Sequence, residues 1–343
     1  MIHVDQRTSM SQHSSFKPTF VGAFVALLTI VVTTLATNAK AADQVKVGVF
    51  PVSSALPFFV AVERGYFAEQ GIDPVPTRMA SSTLIIQGFL SGDLEAAPAL
   101  VTTEAFNVNL MTTNTILYLS INGQNEQNRQ ETFVVRKGID ASSIKDLKGK
   151  ATKIMAASGP ANVAFAKAVL KANGLEEGKD YTMTDLPVNL HVSAMTAGTF
   201  DAGYTLEPAG TMLKASGGAI ELEGGVVATY ILGRKDAMTF AAGGAITTKF
   251  AKERPDVARR YAIAWRKAIE TIDKDPNTRE ALKVNTSVPP EMVMQVGLPK
   301  FVMADQVTTQ NKADFQKYMD FATAQGIVKG QVDVAKYLVT FDK

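Results

Sequence analysis

Between Val45 and Ile121 the spacing of apolar positions switches repeatedly between the strand period and the helix period, and this predicts an alternating β/α order. Val45–Phe50 reads VKVGVF, a short β-branched strand. From about Pro57 to Gln70, the residues Phe59, Val62, Tyr66 and Phe67 fall three and four apart and make one helical face. Pro57 suits a first helical turn, and Gly71 supplies a left-handed stop. After a polar gap, Leu84–Leu90 predicts a short helix ended by Gly92 and Leu94–Ala99 a strand. Thr103–Met111 then reads as a helix and Ile116–Ile121 as a strand. Hydroxyl-bearing turns stand before the helices: Ser53–Ser54, Ser81–Ser82 and Thr102–Thr103. A parallel sheet gathers such turns at the carboxyl ends of its strands, where open α/β folds bind ligands. Helix N-termini there present unpaired N–H groups and partial positive charge, a receptor for a small polar or anionic solute.

The pattern breaks at Asn122–Gln130, which is polar and aperiodic, and resumes at Thr132–Arg136. We read 122–131 as a first crossing into a second lobe. That lobe is built from the strand ATKIMAA, a helix from about Ala161 to Asn173, the strand Tyr181–Leu186, a short helix Val192–Ala197 and the strand Asp201–Thr205. The pairs Gly217-Gly218, Gly224-Gly225 and Gly243-Gly244 read as turns or hinges, which places the return crossing between 228 and 245. Helices over Pro255–Lys274, Pro290–Leu298, Lys312–Gln325 and Val332–Leu338 are expected to pack back on the first lobe. The expected boundaries are 42–125 with 236–343 for lobe one and 126–235 for lobe two.

Three clusters carry a resemblance. GYFAEQGID followed by LIIQGFLSGDLEAA is the first. Ile144-Lys145-Asp146-Leu147-Lys148-Gly149-Lys150, with Gly198-Thr199-Phe200-Asp201-Ala202 and Glu207-Pro208, is the second. Lys249-Phe250-Ala251-Lys252-Glu253-Arg254-Pro255-Asp256 is the third. In this order, over roughly Val45–Ile272, they resemble the periplasmic nitrate/sulfonate/taurine-binding proteins of ABC importers. The resemblance implies a type II periplasmic binding protein: an α/β fold of two lobes, each a mostly parallel sheet flanked by helices, joined by two hinge crossings. It also implies a partner, an ABC permease in the inner membrane, and capture of a small organic solute, anionic or zwitterionic and sulfonate- or taurine-like, without catalysis. The alternatives are a receptor for a thiamine-pyrimidine-like or aromatic solute, and a ligand sensor for a signalling receptor.

The N-terminus agrees with export. Arg7 and Lys17 precede a 16-residue apolar run, Val21–Ala36, which leads to the small-x-small sequence Ala39-Lys40-Ala41. The run is shorter than the ~20 residues a spanning helix needs, so residues 1–41 read as a cleaved signal peptide and the product as periplasmic. The chain of 343 residues contains no cysteine, so it has no thiol for a lipid anchor and none for a cysteine-rich pyrimidine-synthesis motif. Removing residues 1–41 leaves 32 basic and 32 acidic residues, a balance that gives no footing for nucleic acid. We expect a monomer.

Of three histidines, His3 and His13 lie in the export segment, leaving His191 alone. One histidine without cysteine is too few for a His/Cys metal centre, and no nucleophile-elbow or P-loop sequence accompanies it. No cofactor, metal site or catalytic residue is expected. His191 reads as a capping or surface residue. The candidate ligand-binding residues are Ser53, Ser54, Ser81, Ser82, Thr102 and Thr103 from lobe one, with Ser158, Gly159 and Glu207 from lobe two. Glu207 corresponds to an acid–Pro pair of the family and would favour an amine-bearing solute. Leu206 stands where many relatives have Trp, with Tyr204 nearby to supply apolar surface. Arg78, Arg129 or Arg136 could add a cation.

Overall fold

The computed structural model describes residues 41–112 and 115–341. Apart from Ala41, the expected signal peptide lies outside the described residues. In chain order the strands are β1 (Asp43–Val49), β2 (Ile72–Arg78), β3 (Ala96–Val101), β4 (Ile116–Gln124), β5 (Glu131–Arg136), β6 (Lys153–Ala157), β7 (Thr182–Leu186), β8 (Ala202–Leu206), β9 (Ala219–Gly224), β10 (Thr239–Thr247) and β11 (Lys300–Met303). They form two sheets, ordered β11-β4-β10-β3-β1-β2 and β7-β6-β8-β5-β9. The two-lobed α/β fold is therefore present, each sheet flanked by helices. The chain leaves the first sheet after Gln124, enters the second at Glu131 and rejoins the first at Thr239.

The sheets are mixed rather than mostly parallel. β1 runs parallel to β2 and β3, and β6 parallel to β7 and β8. β10 and β5 run antiparallel to both of their neighbours. Each is the first strand after the chain changes sheet, so no βαβ crossover of its own lobe imposes a parallel direction on it.

Three local expectations are corrected. The first predicted helix is two, Leu56–Glu63 and Tyr66–Glu69, because Gly65 takes a left-handed φ of 72° between them. The polar gap after Gly71 is a strand: β2 carries Pro74 and Pro76 but pairs only with β1 at the sheet edge, where a missing N–H breaks no outer ladder. Gly243-Gly244 is neither turn nor hinge but lies within β10. A Cβ on Gly243 would stand 2.3 Å from the Ser120 carbonyl oxygen, and one on Gly244 2.5 Å from the Trp265 ring. Glycine is there for close approach.

The helix Pro255–Lys274 buries Tyr261, Trp265 and Ile269 against the first lobe. Tyr261 stacks on Phe67 at 4.8 Å, and Trp265 Nε1 donates to Ser120 Oγ at 2.9 Å. The helix Thr309–Ala324 packs Phe315 against Phe106 and Phe240 of the first lobe. One turn further, Tyr318 stacks at 4.7 Å, nearly parallel, on Phe165 of the second-lobe helix Pro160–Ala172. Apolar packing therefore runs from one lobe into the other along this side.

Gly244→Ala should lower unfolding stability by about 1–3 kcal/mol, because Trp265 is held by its bond to Ser120 and cannot retreat freely. An unchanged melting midpoint would show that the ring yields.

Candidate functional site

The carboxyl ends of the strands in both sheets face each other across a cleft. Its walls are Ser54, Ser81, Ser82, Thr83, Glu104 and Gln124 from the first lobe, Gln130 from the crossing, and Ser158, Gly159, Asn162 and Tyr204 from the second. Tyr318 closes it on the packed side. Local chemistry sets these positions. Ser81 caps the helix Ser82–Ser91, accepting from the Leu84 N–H at 3.4 Å. Ser82 Oγ accepts from the Val101 N–H at 3.0 Å, which ties that helix to the end of β3.

Of the expected site residues, the fold gathers Ser54, Ser81, Ser82, Ser158 and Gly159 on the cleft walls. It places the other four inside the protein. Ser53 Oγ lies 3.0 Å from Gln130 Oε1 and 2.9 Å from the Gly297 carbonyl oxygen. Thr102 donates to the Phe240 carbonyl at 2.8 Å, anchoring its helix to β10. Thr103 is fully buried. Glu207 is buried as well, and its carboxylate accepts from the Thr211 N–H at 3.2 Å. Its backbone carbonyl accepts from Gln130 Nε2 and from the Ser53 N–H, both at 3.3 Å. Burial pushes the Glu207 carboxyl up from its ordinary value, with the Thr211 bonds opposing it. Ser53, Gln130 and Glu207 thus knit the lobes at the crossing.

At the start of the helix Pro160–Ala172 the chain supplies its own anion. Ser158 Oγ and the Gly159 N–H (3.2 Å) both donate to the Asp185 carboxylate. The anion receptor expected on lobe two is already filled.

The carboxylate on the cleft wall is Glu104, in the second position after Thr102. Thr83 Oγ1 donates to its Oε2 at 3.4 Å. Its Oε1 stands 3.1 Å from where a Cβ on Gly159 would lie, so it reaches across to the opposite lobe. Gly159 also adopts φ 117°, so both conformation and approach require glycine there. Desolvation raises the Glu104 carboxyl, with the Thr83 bond opposing the shift. Neither Lys, Arg nor His lines this cleft. Among the described residues, the Gln124 amide and the Tyr204 and Tyr318 hydroxyls have no protein hydrogen-bond partner. The sequence held one signal for Glu104: in TTEAFNVNLM it is the only charged residue of its helix, and it sits in the first turn.

The three candidate cations separate. Arg129 pairs with Glu221, and Arg136 pairs with Asp201 at 3.0 Å. Arg78 has no carboxylate partner among the described residues and lines an adjoining chamber. His191 is fully buried, with Nδ1 2.8 Å from Thr205 Oγ1 and Nε2 2.9 Å from the Leu186 carbonyl oxygen. A carbonyl can only accept, so the proton is on Nε2; burial holds the ring's pKa down at about 4. It is a neutral structural histidine. A groove of about 250 Å³ beside Arg259, Arg266 and Phe341 belongs to the first lobe alone, so lobe closure cannot enclose a solute there.

Residues 38–286 match the model of the NMT1-like family. The chain belongs to that family. The fold is that of two-lobed periplasmic binding proteins. The alkanesulfonate-binding protein SsuA from Xanthomonas axonopodis, bound to MOPS, superposes with TM-score 0.67 at 16% identity, over 87% of this chain and 99% of that one. The periplasmic nitrate-binding protein NrtA from Synechocystis superposes with TM-score 0.68 at 15% identity, over 86% and 84%. In sequence, the Synechocystis nitrate/nitrite binding protein NrtA is 27% identical over 178 residues, 46% of this chain, and this chain spans about two fifths of its length (40%). The desulfurization enzyme DSZB shares the fold with TM-score 0.62 at 15% identity, over 86% and 96%. Proteins of this fold therefore serve both capture and chemistry, and the site must decide between them.

Behind Tyr204, Glu131 is fully buried with Oε2 unpartnered, and desolvation raises its carboxyl to about 7, opposed by the Val227 N–H. Its folded value exceeds its unfolded one, so its contribution to stability is full below about pH 4.5 and is lost as pH rises through 7. Glu131→Gln should therefore remove about 3 kcal/mol of the stability decline between pH 5 and 8. Parallel denaturation curves for both proteins across that range would contradict the assignment.

Proposed function

We propose that this protein is the periplasmic solute receptor of an ABC importer, working as a single exported chain that delivers its ligand to an inner-membrane permease. It captures a small organic solute bearing a basic, proton-donating nitrogen, as a zwitterionic taurine-like molecule does. The observation that supports this ligand class is Glu104: a half-buried carboxylate on a wall without a cation, beside a second carboxylate, Asp185, at the facing helix start. A bare nitrate or sulfonate would meet like charge in a low-dielectric cleft. An ammonium restores the solvation that Glu104 has lost and gives it the charge-assisted hydrogen bond it lacks. The role assigned to Glu207 from the sequence passes to Glu104.

Gln124, Tyr204 and Tyr318 supply the remaining polar contacts, and Phe50, Val52 and Leu206 the apolar ones. Because both lobes contribute, a bound solute favours the closed arrangement. The reading requires no covalent step: His191 is locked in the interior, so the Thr83 and Ser158 hydroxyls of the cleft face carboxylates and no imidazole.

Calorimetry with ethylamine, taurine, ethanesulfonate, an aminopyrimidine and nitrate tests the ligand class. The amine-bearing compounds should bind, and Glu104→Gln should weaken them by about 1.5–3 kcal/mol, or roughly 10–100-fold. Tight binding of nitrate or ethanesulfonate, strengthened by Glu104→Gln, would reverse the reading.

A further inference from the structure

The space beside Glu104 is small, and a larger one opens from it. The inner cleft offers about 60 Å³, room for roughly four or five water-sized groups. The adjoining chamber offers about 350 Å³. The two share Phe50, Val52, Ala80 and Val188 on their walls, so they adjoin as a narrow end and a wide end. The wide end is built from both lobes. Phe50, Met79 and Ser287 come from the first, and Val192, Pro208 and Met212 from the second.

The ends differ in charge. Glu104, without a cation, marks the narrow end. Arg78, without a carboxylate, marks the wide end, its one hydrogen bond among the described residues a 3.4 Å contact to the Val284 carbonyl. Ser287, exposed and without a protein hydrogen-bond partner among the described residues, stands on the same wall. Between these ends the lining is mostly apolar, interrupted by Asn189 and Thr286, with two methionines whose flexible side chains adapt to a hydrocarbon surface. An organic solute of more than a few heavy atoms cannot lie wholly beside Glu104. Its remainder can extend into the adjoining chamber.

We propose that the ligand is a two-ended, amphoteric molecule: an ammonium head on Glu104, an apolar spacer across Val52 and Met79, and an anionic tail, carboxylate or sulfonate, on Arg78. This rests on the reading of Glu104 given above and extends it to Arg78, which makes Arg78 the residue that selects for length. A short amino acid reaches only one charge, whereas a longer one reaches both.

The test is a calorimetric length series: 3-aminopropanoate, 6-aminohexanoate and 8-aminooctanoate, with hexylamine and hexanoate as single-ended controls, on wild type, Glu104→Gln and Arg78→Gln. Arg78 is exposed, so its replacement leaves the fold intact. Affinity should rise about tenfold or more from the shortest to a longer amino acid. Arg78→Gln should remove that gain, bringing the amino acid to the level of hexylamine, while hexylamine itself binds unchanged. A flat series, with Arg78→Gln neutral and Glu104→Gln still weakening every amine, overturns the two-ended guest and leaves the head group standing. Binding of hexanoate alone, sensitive to Arg78→Gln while no amine binds, overturns both.

Discussion

A carboxylate drawn partly out of water and given no positive partner is an unstable arrangement unless something else completes it. Glu104 is in that position, and the rest of the cleft is arranged around it. It sits on the first turn of a helix anchored by Thr102 to the Phe240 carbonyl, so its backbone is held at the cleft wall. It points at Gly159, whose missing side chain leaves the approach open, and beyond Gly159 stands the Asp185 carboxylate. In the proposed reading, an ammonium between them is attracted to both carboxylates, and binding favours closure.

The neighbouring buried polar groups do a different job. Ser53, Gln130, Glu207 and the Gly297 carbonyl bond to one another at the crossing, and Tyr318 stacks on Phe165 along the packed side. These contacts hold the lobes in register. They also explain why polar residues that looked like ligand contacts are absent from the wall: their hydrogen bonds are already used to position it.

Much of the fold was legible because its first lobe alternates strand and helix periods cleanly. The helix Pro255–Lys274 could be bounded to the residue, since Pro opens it and a regular apolar stripe runs its length. What escaped was sequence whose local propensity contradicts its place. β2 reads as a loop because of Pro74 and Pro76, which only an edge strand tolerates, and β10 reads as a turn because Gly243 and Gly244 answer to Trp265 and the Ser120 carbonyl. The site was half legible for a related reason. Hydroxyls before helices announce where strands end, so Ser54, Ser81, Ser82, Ser158 and Gly159 were found on the cleft wall. No local rule says whether such a hydroxyl caps, bridges or binds. Nor does any tell that Asp185, 26 residues after Gly159, returns to fill its helix start. Glu104 and Arg78 stand out only when the ion pairs of every other charged candidate are known.

The decisive measurement is a carbon-detected NMR titration of the Glu104 side-chain carboxyl, assigned by its absence in Glu104→Gln, with and without a saturating amine-bearing solute. If the desolvated carboxylate is the group that the guest completes, its midpoint lies above the ordinary carboxylate range in the free protein and falls when the solute binds. A midpoint in the ordinary range that the solute does not move would contradict the account.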